Sequence, residues 1–101
     1  MVNVLELNKE LLIWVGFTFT NGVWTYPDGV TVDGNTPFFP ASLDECITWI
    51  FPKLESYELR LNHGKHCAWL KLPTKYIEFG MAETPALAFC LAVRKLINDE
   101  D

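Results

Sequence analysis

The densest run of reactive side chains is His63-Gly64-Lys65-His66-Cys67, which sets two imidazoles, an amine and a thiol within five residues. Zinc requires four ligands in tetrahedral array, and no second Cys/His pair stands at a matching spacing, so the run does not read as a metal site. A thiolate nucleophile would need Cys67 and His66 to converge, whereas neighbours on an extended strand point to opposite faces. Cys46 and Cys90 fall in helical apolar stretches and read as small buried hydrophobes. Among the carboxylates, Asp28 and Asp33 lie in turn sequence, and Asp44 and Glu45 are accounted for by helix capping. No Asp-x-Asp-x-Asp-Gly loop offers a calcium site, and no glycine-rich loop leads from a strand into a helix to cradle a phosphate. With no catalytic motif in view, the expectation is a protein that is not an enzyme and requires no cofactor.

What remains is binding chemistry. From Leu59 to Ile77 there is no Asp or Glu, while Arg60, His63, Lys65, His66, Lys71 and Lys75 all fall there, interleaved with Trp69 and Tyr76. These eight residues form the candidate site. The cations suit a phosphate or carboxylate, and the aromatic rings suit stacking on a base or anchoring a protein partner. The chain as a whole is acidic, with 8 Lys+Arg against 13 Asp+Glu, a net charge of −5 and a pI near 4.9. Bulk charge therefore excludes nonspecific nucleic-acid binding, which rests on neutralising many phosphates.

The elements that must position these residues can be read from spacing. Asn3 caps a helix over residues 4–15, with Leu7, Leu11, Trp14 and Val15 at helical intervals and Gly16 as the stop. Asn21-Gly22, between Phe17-Thr18-Phe19-Thr20 and Val23-Trp24-Thr25-Tyr26, is a tight hairpin signal. Residues 28–41 read as loop, in which Phe38-Phe39 between two prolines closes the edge of the core or meets a ligand. Ser42-Leu43-Asp44-Glu45 is a capping box that opens a second helix with Leu43, Ile47, Ile50 and Leu54 on one face, ended or kinked by Pro52. Three alternating segments follow: 57–61, 66–72 and 76–79. Their short connections predict an antiparallel meander. Thr84-Pro85 opens a last helix that is apolar on every face from Ala86 to Val93.

The predicted fold is α+β, in the order α-β-β-loop-α-β-β-β-α. A three-stranded antiparallel meander carries two helices on one face, with an additional N-terminal helix and hairpin. Residues 1–101 read as one domain. Residues 1–41 form the N-terminal helix, hairpin and loop, 42–97 the α-β-β-β-α core, and 98–101 an acidic tail. This core has the layout of double-stranded-RNA-binding domains, but those carry lysines at the start of the last helix, where this chain has Thr84-Pro85-Ala86.

Alternation predicts Tyr57, Leu59, Leu61, Ala68, Leu70, Leu72, Ile77 and Phe79 beneath the helices. Glu58, Arg60, Asn62, Cys67, Trp69, Lys71, Tyr76 and Glu78 fall on the outer face. The N-terminal hairpin could cover that face, setting Trp69 and Tyr76 against Phe19, Trp24 or Tyr26. The alternatives are a homodimer interface and a ligand or partner site.

Three stretches carry a family resemblance: Glu10-Leu11-Leu12 running to Trp14-Val15-Gly16-Phe17; Phe39-Pro40-Ala41-Ser42-Leu43-Asp44-Glu45-Cys46 with Trp49 and Pro52-Lys53-Leu54; and Ala82-Glu83-Thr84-Pro85 through Ala92. Together they resemble small bacteriophage and prophage proteins of the phage ABA sandwich domain family, over residues 10–97. The resemblance implies an α/β sandwich and a phage setting inside a bacterium; it implies no established activity and no site residues. In that setting the expectation is a phage-encoded binding protein acting in counter-defence. It would sequester a nucleotide-like immune signal or block a host defence protein. A structural or housekeeping module that acts as a homodimer or higher oligomer is the second reading, and an RNA-binding domain the third. Three cysteines without a regular framework, no apolar run of roughly 18 residues and no basic leader fit the reducing cytoplasm of the bacterial host and no membrane.

Overall fold

The computed structural model describes residues 3–72 and 78–98. Helix α1 (Val4–Val15) begins as its sequence dictates: the Asn3 side chain accepts hydrogen bonds from the backbone of Leu5 and Glu6, both at 3.1 Å. It ends at Gly16, whose φ of 123° turns the chain so that Phe17 N–H donates back to Leu12 O at 3.0 Å. Phe17 is thereby folded into the core. Strands β1 (Thr18–Thr20) and β2 (Val23–Thr25) form the expected hairpin, with Asn21 and Gly22 both at positive φ.

The loop after the hairpin is held by a residue that the helical stripe conceals. Asn8 is buried in α1, where its amide donates to Pro37 O at 3.0 Å and accepts from Phe39 N–H at 2.8 Å. That double latch places Phe39 in the core at the head of a single 3₁₀ turn, Phe39–Ala41. Helix α2 (Leu43–Trp49) is capped by Ser42, which accepts from Glu45 N–H. A second 3₁₀ turn, Phe51–Lys53, accommodates Pro52. Ile47, expected on the buried face, is 48% exposed, because that face is centred on Cys46 and Ile50, both fully buried, and Ile47 lies about a quarter-turn round the helix from Cys46.

Strands β3 (Ser56–Asn62), β4 (Lys65–Lys71) and β5 (Glu78–Ala82) make the antiparallel meander in that spatial order. Helix α3 (Pro85–Asn98) lies on β4 and β5 and scarcely reaches β3, while α1 stacks against α3. The last helix is thus the middle layer between sheet and α1, which explains its apolar composition on every side. An Arg94–Glu10 ion pair at 2.7 Å joins α3 to α1.

The expected parity of the third strand is corrected by one residue. Phe79 stands opposite Trp69 and Gly80 opposite Ala68. Facing residues share a side, so Phe79 is on the outer face and Gly80 beneath α3. The cause is steric: a Cβ on Gly80 would lie 2.3 Å from Ala88 O and 2.7 Å from Ala92 N. Only glycine permits α3 to come so close, and that contact sets the register of β5. By the same shift Glu78, expected on the outer face, stands opposite Leu70 and falls at a helical-side position of the register. Ile77 and Tyr76 lie outside the described residues.

Candidate functional site

The outer face of the sheet is built from alternate residues of all three strands. Arg60 faces Cys67, Glu58 faces Trp69, and Ser56 faces Lys71; on the far side Cys67 faces Met81 and Trp69 faces Phe79. The rings of Trp69 and Phe79 meet at 5.0 Å between centroids with planes inclined by 47°. The Arg60 guanidinium sits 5.7 Å from the Trp69 ring. Met81 is 52% exposed beside the aromatic pair. Lys95 reaches from α3 to donate to Phe79 O at 2.6 Å and lies 5.8 Å from its ring.

The N-terminal hairpin does not cover this face. Phe19 and Trp24 line a cleft with Leu5, Asn8, Lys9 and Leu12 of α1. Tyr26 stacks on Trp49 at 6.0 Å and touches Phe17. The hairpin therefore serves the helical side of the molecule.

The charges on the outer face are matched. Glu58 accepts from Arg60 Nε at 2.7 Å, Glu55 holds the Lys71 ammonium at 3.1 Å, and Glu83 pairs with Lys65. Three cations of the acid-free stretch are thus each paired with a carboxylate from just outside it. All three pairs are substantially exposed, so each contributes little to stability. Their consequence is electrostatic: Arg60, Lys65 and Lys71 present no uncompensated positive charge to an incoming phosphate.

The candidate residues therefore separate. Arg60, Trp69 and Lys71 share the outer face, and Lys65 joins them at one end. His66 faces Leu61 and Ala82, which puts it on the helical side, away from Trp69. His63 occupies the β3–β4 turn with a φ of 53°, next to Gly64 at 79°, and its role is to close that hairpin. Lys75 and Tyr76 lie outside the described residues. Phe79 and Met81 were not foreseen; Gly80 carried the signal, since a glycine inside a strand marks close backbone approach and so assigns its neighbours to the opposite face.

Among the described residues, no three His, Cys, Asp or Glu side chains converge to hold a metal ion. Cys46 donates to Phe39 O at 3.4 Å, and its sulfur lies 3.9 Å from that of Cys90. The contact with Cys46, reinforced by burial, pushes the Cys90 thiol far above the ordinary thiol range, so it stays protonated. No described helix is long and apolar enough to cross a membrane.

No protein-family model matches the sequence, and no curated protein matches it. In fold, the chain is similar to a phage protein from Bacillus cereus ATCC 14579. That crystal structure superposes with a TM-score of 0.69 at 14% identity, over 91% of this chain and 89% of that one. The likeness is one of architecture and shows no family.

Proposed function

We propose that this is a nonenzymatic phage-encoded binding protein that acts in counter-defence, in the host cytoplasm, by occupying a host defence protein with the outer face of its sheet. The observation that carries the reading is the contiguous Trp69-Phe79-Met81 surface, flanked by Arg60, on a face that neither helix nor hairpin covers. Aromatic, methionine and arginine side chains are the types enriched where proteins dock. The matched charges favour a protein partner over a nucleotide, because the cations needed for phosphates are already held by Glu55, Glu58 and Glu83. An RNA partner is disfavoured by the same pairing and by Thr84-Pro85 at the start of α3. The fold likeness to a Bacillus cereus phage protein supports the phage setting.

The test is plating efficiency of a restricted phage on bacteria that carry a defence system and express this protein. Wild type should restore plating, and a Trp69→Ser/Met81→Glu variant with native circular dichroism should not. Equal rescue by the variant, or no rescue across a panel of defence systems, contradicts the proposal. Thermal shift with cyclic dinucleotides, ADP-ribose derivatives and nicotinamide nucleotides should show no stabilisation. A shift abolished by Arg60→Ala would instead establish nucleotide sequestration.

A further inference from the structure

Strand β3 is an edge strand, and its backbone shows which residues face outward. The two-residue turn His63-Gly64 makes Asn62 and Lys65 a hydrogen-bonded closing pair. Alternation along the antiparallel ladder then directs the N–H and C=O groups of Arg60, Glu58 and Ser56 toward β4, and those of Tyr57, Leu59 and Leu61 toward the open edge. Among the described residues, no backbone hydrogen bond outside the strand pairs involves Tyr57, Leu59 or Leu61. Their side chains lie on the helical face, where α3 stops short. Tyr57 is 51% and Leu61 66% exposed, and Leu59 is half-buried.

The sequence of this edge is its own complement. Read from both ends, Ser56-Tyr57-Glu58-Leu59-Arg60-Leu61-Asn62 matches polar with polar, aromatic with leucine, and acid with base, about a central leucine. We infer that β3 pairs antiparallel with β3 of a second copy of this chain, about a two-fold axis through Leu59. Tyr57 then faces Leu61 of the other copy, Leu59 faces its counterpart, and Glu58 faces Arg60. Each of the first two kinds of pair exchanges backbone hydrogen bonds, because these residues carry the outward-pointing groups. The neighbouring registers are excluded by charge. A two-fold axis one residue earlier places Glu58 opposite Glu58, and one residue later places Arg60 opposite Arg60; like charges directly opposed destabilise a sheet. Such an isologous contact closes as a dimer and leaves no growing edge at β3. It joins the two meanders into one continuous sheet and sets two Trp69-Phe79 surfaces side by side. The inference concerns a different surface from that of the proposed function and stands without it.

Sedimentation equilibrium of the full chain tests it. Wild type should sediment as a monomer–dimer equilibrium. Arg60→Glu should weaken the dimer about tenfold, since the two-fold axis doubles the repulsion. The exchange Glu58→Arg/Arg60→Glu should restore it. A cysteine pair fixes the register. Leu59→Cys should give a disulfide-linked dimer under mild oxidation, because facing Cα atoms stand about 5.5 Å apart in a hydrogen-bonded pair. Leu61→Cys should not, because its counterpart lies roughly 14 Å away along the strands. The buried native cysteines make wild type the control. A chain that stays monomeric at millimolar concentration, a dimer indifferent to Arg60→Glu, failure of the exchange to rescue, or equal cross-linking at positions 59 and 61 overturns the inference.

Discussion

Strands β3 and β5 are both edges of one small sheet, yet they are finished in opposite ways. Strand β5 lies under α3, with Gly80 pressed against the backbone of Ala88 and Ala92 and with Lys95 wrapped over Phe79. Strand β3 is barely reached by α3: among the described residues Phe51 packs its ring on Tyr57 at 4.0 Å, while Leu59 is half-buried and Leu61 is exposed on the side where a helix would sit. The difference follows from where small residues fall. Gly80, Ala88 and Ala92 allow α3 to approach at the β5 side, and a helix seated there cannot also span β3. An edge strand left bare invites pairing, and proteins usually blunt such edges with charge or irregularity. Here the charges are of both signs and symmetrically placed, which selects a particular partner and register where charges of one sign would repel every partner.

The sharpest way to break this comparison is to fill the space that only β5 lacks. Gly80→Val should destabilise the protein by about 3 kcal/mol or more in urea unfolding, because the obstructing atoms are helix backbone and cannot swing aside. Leu61→Thr on β3 should change monomer stability by no more than about 0.5 kcal/mol, as expected for an exposed position. Comparable losses at the two sites would mean that β3 is covered after all.

The next effect is in pH. The Cys90 thiol, in α3 above β5, has its pKa raised by Cys46 and by burial, so the folded state retains a proton that the unfolded chain releases above about pH 8.5. Its contribution is complete below that pH and is lost as pH rises past it, at about 1.4 kcal/mol per unit for one proton. Unfolding free energies measured between pH 7 and 10 should show this decline, and Cys90→Ala should remove that component of the slope. An unchanged slope in Cys90→Ala would show that the thiol ionises alike in both states.

Much of the fold was legible because its signals are local. Asn3 and Ser42 as caps, Gly16 as a stop and Asn21-Gly22 as a hairpin each act within a few residues, and each stands where the sequence puts it. Long-range features were harder. Asn8 sits one helical turn before Leu12, a row that contains apolar partners, but its role depends on Pro37 and Phe39 from a distant loop. The parity of β5 is hidden in the sequence because Ile77 and Phe79 look like a buried pair, whereas the steric demand of Gly80 overrides side-chain hydrophobicity. The one-residue shift brings Phe79 out beside Trp69 and so supplies half of the aromatic surface. The pairing of the candidate cations is invisible along the chain for a related reason. A window along the chain counts Arg60, Lys65 and Lys71 and omits the carboxylates that folding and the window's own boundaries leave beside them.

The contrast between a β5 strand packed under α3 and a β3 edge kept for a second copy is tested most directly by amide hydrogen exchange, read residue by residue over a range of protein concentrations. Glu58 and Arg60, bonded to β4, should be protected at every concentration. The amides of Tyr57, Leu59 and Leu61 should exchange freely in dilute protein and gain protection together as the concentration rises through the dimer's dissociation constant. If those three amides exchange at the same rate at all concentrations, the β3 edge takes no second copy and the account is wrong.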